Sequence, residues 1–263
     1  ITDNDFYSNI ASNYNKILII GMGGSAIGAD FARTIVQTEL SVPIFVLRDY
    51  LIPNWVDKKT FVIASSYSGN TEETLSAYND CLKIGCDSIV ISTGGKLSKI
   101  AKKNNIGIIF LPKGYQPRAA IGYSLSILLL LFVEMGLASN KILDDFNESV
   151  KNKLGQRYIN DSKLIAEKIF GTFPVIYSGG GYMEILSVRL KGQLAENSKI
   201  LSYQGIFPEH NHNEIEGWNN LEDLISNFSV IWLKDKNDIS YIKKRMIIVE
   251  NIILSLVCRK FIN

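Results

Sequence analysis

The chain has 263 residues, 46% hydrophobic and 21% charged, an ordinary globular balance with enough length for one or two domains and a large core. A formal net charge of +2, evenly spread, is too weak to argue for nucleic acid. The three cysteines (Cys81, Cys86, Cys258) are odd in number and lack Cys-x-x-Cys spacing, which speaks against a disulfide framework or a thiolate zinc site and fits a reducing cytoplasm.

The first residues, Ile1 to Phe6, are acidic and polar, so no signal peptide is expected. Residues 16–35 read as an apolar strand running into Gly21-Met22-Gly23-Gly24-Ser25 and then a small-residue helix. Pro43 to Leu47 is a second buried strand. Phe61-Val62-Ile63 begins a third, which meets the polar turn Ser66-Tyr67-Ser68-Gly69-Asn70-Thr71. Leu75, Tyr78 and Leu82 then recur at helical spacing. Ser88 to Ile91 is a fourth strand, followed by Ser92-Thr93-Gly94-Gly95 and a helical stretch. Ile106 to Leu111 is a fifth. Apolar strands alternating with helices predict an α/β fold, a doubly wound parallel sheet covered on both faces. Ligands of such sheets sit beyond the carboxyl ends of the strands, where the glycine turn, the Ser66 loop and the Thr93-Gly94 loop all fall.

Ala119 to Ala138 is nearly long enough to span a bilayer, but it carries Tyr123, Ser124, Ser126 and Glu134 and lacks basic flanks. A helix buried on most sides is expected, with no membrane role. The polar segment Asn147 to Lys168 is helical and charge-rich and forms a join. Beyond it the pattern partly repeats. Pro174 to Ser178 leads into Gly179-Gly180-Gly181 and a helix from Met183 to Ala195. Ile200 to Tyr203 and Ser229 to Leu233 are further strands. Two domains are therefore expected, 1–150 and 151–263. The second is short for a matching doubly wound domain: after Trp232 come a charged stretch, a helix from Tyr241 to Asn251 and the apolar run Ile252 to Val257. It is expected to be trimmed, or incomplete at its C-terminus.

The Ser66 loop offers hydroxyls at Ser66, Ser68 and Thr71, a glycine that admits close backbone approach, and the free amides of a helix start. That combination suits a phosphate. No lysine lies in the loop, so it is not a nucleoside-triphosphate loop, and a phosphomonoester on a small molecule fits better. The plain alternative is a Ser/Asn/Gly turn with Thr71 as N-cap. Gly21, Gly23 and Ala26 also satisfy a dinucleotide spacing, with Asp49 after the second strand. Ser25, another phosphate-grade hydroxyl, and the Ser66 loop pull the other way.

Both histidines, His210 and His212, fall in Pro208 to Glu214. Three readings are open: a zinc site completed by carboxylates, exposed histidines in a polar loop, or acid/base work.

Taken in order, Gly21-Met-Gly-Gly-Ser25, Ser66-Tyr-Ser-Gly-Asn-Thr71, Ser92-Thr-Gly-Gly95, Pro117-Arg-Ala119, Glu196-Asn-Ser-Lys199 and Asn211-His-Asn-Glu214 resemble the bifunctional phosphoglucose/phosphomannose isomerase family, built from two sugar-isomerase (SIS) domains of flavodoxin-like type. The resemblance runs to about Glu216. It implies metal-free and cofactor-free interconversion of glucose 6-phosphate and mannose 6-phosphate with fructose 6-phosphate, in a cytoplasmic homodimer with its active site at the interface. It further implies that Gly24, Ser25, Ser66, Ser68 and Thr71 hold the phosphate. Glu196 is then the base between C1 and C2, Arg118 lies beside the enediolate, and His212, donated by the partner subunit, helps open the ring. The family carries a further C-terminal stretch, with a threonine tied to the mannose epimer, that has no match before Asn263. Two rivals remain at this stage. A non-catalytic sugar-phosphate sensor needs neither Glu196 nor His212, and a nicotinamide-dependent oxidoreductase would use Gly21 to Ala26. A change of sugar, to an amino-sugar or pentose phosphate, is a third.

Overall fold

The computed structural model describes residues 13–151, 156–220, 222–256 and 261–262. The expectations placed on the first six residues, on Val257 and on Cys258 lie outside that set. The chain divides into two compact units, Ile1–Lys151 and Asn152–Asn263.

The first unit is a parallel sheet of β1 (Lys16–Ile20), β2 (Ile44–Leu47), β3 (Thr60–Ser66), β4 (Ser88–Ser92) and β5 (Gly107–Phe110), in the order β2-β1-β3-β4-β5. Side chains alternate across a strand, so both faces of each inner strand must find apolar cover. Ile17, Ile19, Phe61 and Ile63 face one core, with Ala29, Ala32 and Val36 of α1 (Gly23–Val36) and Leu128 and Phe132 of α4 (Ile121–Glu134). Leu18, Ile20, Val62 and Ala64 face the other, with Ala77, Tyr78 and Cys81 of α2 (Glu72–Ile84) and Leu97 and Ala101 of α3 (Gly95–Lys103). This is why the middle of β3, residues 61–64, reads as an apolar run and the strand is buried throughout.

The small residues of α1 have a packing reason. A Cβ on Gly28 would stand 2.4 Å from the Ser124 Oγ of α4, so the two helices cross at close range. The long apolar segment predicted from Ala119 is α4, with Leu128, Leu129, Leu131 and Phe132 in the core. Among the described residues, no helix is long and apolar enough to cross a membrane. Helix α5 (Asn140–Lys151) closes the unit.

The second unit begins with α6 (Gln156–Ile169) and repeats the parallel scheme: β6 (Phe173–Ser178), β7 (Tyr203–Ile206), β8 (Phe228–Leu233) and β9 (Phe261–Ile262), ordered β7-β6-β8-β9. Helix α7 (Tyr182–Gln193) follows β6, the short α8 (Glu222–Ile225) precedes β8, and α9 (Ser240–Leu256) follows it. Ile242, Met246, Val249 and Ile253 of α9 recur at helical spacing and pack on Val175, Tyr177, Val230 and Trp232.

Two sequence expectations are corrected here. The strand expected at Ile200–Tyr203 begins only at Tyr203. Ile200 still bonds back to the Leu194 carbonyl, and Leu201 is exposed, so both belong to the preceding turn. The apolar run from Ile252 is not a separate element either; α9 continues unbroken to Leu256.

Candidate active site

In a sheet ordered β2-β1-β3-β4-β5, successive crossovers leave β1 in opposite directions, and the crevice lies beyond the carboxyl ends of β1 and β3. The glycine turn follows β1 and the Ser66 loop follows β3, so both reach that crevice. The dinucleotide reading needs the third strand on the far side of the second, whereas here β3 lies on the other side of β1. Asp49, its acidic partner in that reading, closes a local turn instead, its Oδ1 accepting from the Tyr50 amide at 2.6 Å.

Helix α1 starts with its first amides uncapped by any side chain: Met22 stands at the N-cap, and no acidic residue lies in the first turn. Ser25 is inside the helix and nearly buried, not its N-cap. The plain N-cap reading of Thr71 also fails. Thr71 holds the N-cap position of α2, but its hydroxyl makes no capping bond and lies 2.8 Å from Ser66 Oγ. Ser66 Oγ also accepts from the Gly69 amide at 3.1 Å, and Ser68 Oγ accepts from the Asn70 amide at 3.2 Å. Ser66 is buried and Ser68 exposed, so the loop presents one hydroxyl from its floor and one from its rim.

The loop is fixed from behind. Gly69 and Gly95 have left-handed φ of 67° and 72°, and a Cβ on Gly69 would stand 1.9 Å from the Gly94 carbonyl oxygen. Leu97 N donates to Gly69 O at 2.9 Å, Thr93 N to Tyr67 O at 3.0 Å, and Lys96 N to Asn70 Oδ1 at 3.0 Å. The Ser92–Gly95 segment thus buttresses the Ser66 loop. Tyr67 turns the other way: its hydroxyl donates to Pro112 O at 2.8 Å and accepts from Tyr115 N at 3.0 Å, which holds the segment leading to Arg118.

Arg118 lies on a short 3-10 turn, Pro117–Ala119, that packs on the start of α1. A Cβ on Gly24 would stand 2.6 Å from the Pro117 carbonyl oxygen and 3.8 Å from the Arg118 amide. Gly24, at the start of α1, therefore packs directly on the turn that carries Arg118. Sequence reasoning missed the parts of Tyr67 and Asn70, whose side chains bond to backbone far away in sequence, and of Pro117, whose carbonyl closes on Gly24.

Glu196 and His212 belong to the second unit. Glu196 is exposed on a single π turn, Leu194–Ser198, that extends α7. The turn ends at Lys199 in the left-handed conformation, φ 59°, whose Nζ donates to the Glu196 carbonyl at 2.6 Å. A π turn and a left-handed non-glycine residue around one carboxylate mark a locally strained segment, of a kind that recurs at functional sites.

His212 ends the 3-10 turn Glu209–His212 and is exposed. Asn213 pins the chain beyond it: its Oδ1 accepts from Glu214 N at 2.6 Å and its Nδ2 donates to Glu209 Oε1 at 3.0 Å. His210 is fully buried between Phe207, stacked at 4.8 Å between ring centroids, and the edge of Tyr177, at 4.5 Å. Among the described residues neither of its ring nitrogens has a hydrogen-bond partner, and burial pushes its pKa down to about 4. The reading of two exposed histidines is corrected for His210. One ring is in the core and one in solvent, so they do not converge on a shared ion. Among the described residues no group of three or more His, Cys, Asp or Glu is placed to hold a metal.

The comparisons agree on the kind of protein. Residues 159–260 match the family described as bacterial phospho-glucose isomerase C-terminal SIS domain. A bifunctional phosphoglucose/phosphomannose isomerase from Caldicellulosiruptor bescii is 42% identical over 256 residues, covering 94% of this chain and 75% of that protein. One from Aquifex aeolicus is 38% identical over 241 residues, covering 91% and 73%. Among solved structures, tagatose-6-phosphate ketose/aldose isomerase from Escherichia coli superposes with a TM-score of 0.69 over 98% of this chain and 72% of that one, at 16% identity, a likeness of fold alone. With relatives this similar over nearly its whole length, the chain belongs to the bifunctional phosphoglucose/phosphomannose isomerase family.

Proposed function

We propose that the chain is an aldose–ketose isomerase that interconverts glucose 6-phosphate and mannose 6-phosphate with fructose 6-phosphate through a cis-enediol, acting in the cytoplasm as a homodimer. The observations that support this reading are at the crevice of the first sheet, where the start of α1 packs on the Arg118 turn and the Ser66 and Thr71 hydroxyls lie 2.8 Å apart.

Each residue type suits a step. The uncapped amides of α1 and the hydroxyls of Ser25, Ser66, Ser68 and Thr71 hold a phosphomonoester, which anchors the sugar at the end remote from reaction. Isomerisation takes a proton from one carbon and returns it to its neighbour on the same face, work for a single carboxylate, assigned to Glu196. Negative charge grows on the substrate oxygens as the enediolate forms, and the guanidinium of Arg118 stabilises it most where water is excluded. Ring opening moves a proton between the ring oxygen and the anomeric hydroxyl, a task for imidazole near neutrality, assigned to His212 of a neighbouring subunit.

A coupled assay of fructose 6-phosphate formation from each aldose, with EDTA present, tests the proposal on wild type and Glu196→Gln. Activity on both sugars should survive EDTA and fall about a hundredfold or more in the variant. Undiminished turnover by a folded Glu196→Gln would remove the base. Hexose-phosphate binding without turnover in the wild type would point to a sensor instead.

A further inference from the structure

The turn that carries Glu196 ends on an unexpected residue. A chain that leaves a helix through the left-handed conformation usually does so on glycine, sometimes on asparagine, because a Cβ there crowds the following carbonyl. Helix α2 follows that rule and leaves through Gly85, φ 85°. The π turn Leu194–Ser198 leaves through Lys199 instead, with φ 59° and ψ 33°. Lysine strains the backbone where glycine would not, so the reason for it lies in its side chain.

That side chain folds back over the turn. Lys199 Nζ donates to the Glu196 carbonyl oxygen at 2.6 Å. The amides of Lys199 and Ile200 both close on the Leu194 carbonyl, that of Ile200 at 3.2 Å. The last carbonyls of a helix have no partner within it, and an ammonium placed there also meets the negative end of the helix dipole. The other neighbour of Glu196 is tied down too. The side-chain amides of Asn197 and Gln193 are in contact, and the Gln193 oxygen, turned toward Arg189, accepts from Nη1 at 2.9 Å and from Nε at 3.0 Å. A π turn holds one residue more than an α turn and is rarely kept without such support. Relaxing to α geometry would rotate Glu196 about the helix axis.

We propose that Lys199 is a positioning residue for the base: its ammonium, held on the carbonyl of Glu196 itself, keeps the π turn wound and so fixes the direction in which the Glu196 carboxylate is presented. The inference rests on the assignment of Glu196 as the base. A base that must serve two adjacent carbons tolerates little rotation, so the loss of this bond falls on the chemical step. Binding of the phosphate does not depend on it.

The test is steady-state kinetics on glucose 6-phosphate, with urea melts, for Lys199→Gly, Lys199→Met, Lys199→Arg and Glu196→Gln. Lys199→Gly relieves the left-handed strain while deleting the ammonium, so its urea midpoint should hold or rise while kcat falls about tenfold or more and KM stays within about twofold. Lys199→Met, which keeps the stem without the charge, should lose kcat likewise. Lys199→Arg, which reaches the same carbonyl, should restore most of it. Full kcat in Lys199→Gly, a fall in kcat matched by a fall in its urea midpoint, or a loss expressed in KM alone would each overturn the proposal. Glu196→Gln separates the two readings. If that variant loses turnover and Lys199→Gly does not, Glu196 stands as the base and only the role of Lys199 fails. If Glu196→Gln turns over undiminished, both fall together.

Discussion

Gly69→Ala is the sharpest test of how the Ser66 loop is held. Gly69 has φ 67°, and an added Cβ would meet the Gly94 carbonyl oxygen at 1.9 Å, Ser92 Oγ at 2.7 Å and the Gly94 carbonyl carbon at 2.8 Å. Left-handed backbone costs a non-glycine residue about 1–2 kcal/mol. The overlap is with backbone, so no side chain can swing aside, and forcing an extra carbon into a packed site adds about 1–3 kcal/mol. The expected loss is therefore about 2–5 kcal/mol in the first unit. To restore even the shortest Cβ contacts found in proteins, near 3.0 Å, the two loops must part by more than an ångström. That moves Ser66, Ser68 and Thr71 relative to α1, and a misplacement of this size lowers kcat/KM about a hundredfold. Gly85→Ala is the control. Gly85 is also left-handed, φ 85°, but its nearest neighbour would be Lys58 Cε at 3.5 Å. It should lose only about 1 kcal/mol, with activity kept. Urea melts by circular dichroism, with amide exchange on peptides spanning β3 and α2, measure both. Equal stabilities for the two variants, with the KM of Gly69→Ala unchanged, would refute the buttress.

Ser66→Ala removes the partner of Thr71 Oγ1 and of the Gly69 amide, and should raise KM for hexose phosphates about tenfold with little change in kcat, read by steady-state kinetics. Tyr67→Phe deletes the bonds to Pro112 O and Tyr115 N, at about 1 kcal/mol each, and should speed amide exchange across 112–116. His210 sets a pH dependence. Its pKa is about 4 in the fold, below the unfolded value of 6.5, so the unfolded chain binds the extra proton between those values. Stability should be full above about pH 6.5 and fall by up to about 3 kcal/mol as pH drops to 4, and His210→Phe should flatten that slope in urea melts.

What the residues disclose divides along a physical line. The inner strands of the first unit were legible because both of their faces are buried, so residues 17–20 and 61–64 had to be apolar runs whatever lay around them. The Ser66 loop stood out because its residue types are those that holding a phosphate would require. Contacts made by backbone leave no such mark: nothing in Pro117 or Gly94 announces that its carbonyl closes on a glycine far away in sequence. The misplaced start of β7 has the same root. Ile200 and Leu201 carry the strand composition, yet the left-handed Lys199 keeps Ile200 bonded to Leu194. The true strand contains Gly205, a poor strand former. Glycine is required there because Tyr177 and the Glu214 carboxylate fill the space a side chain would need. His210 and His212 make the point within three residues, since one is enclosed by Tyr177 and Phe207 and the other is in solvent. Spacing gave them equal claims to chemistry. Burial separates them, enclosing His210 as a group that favours the neutral form and leaving His212 exposed.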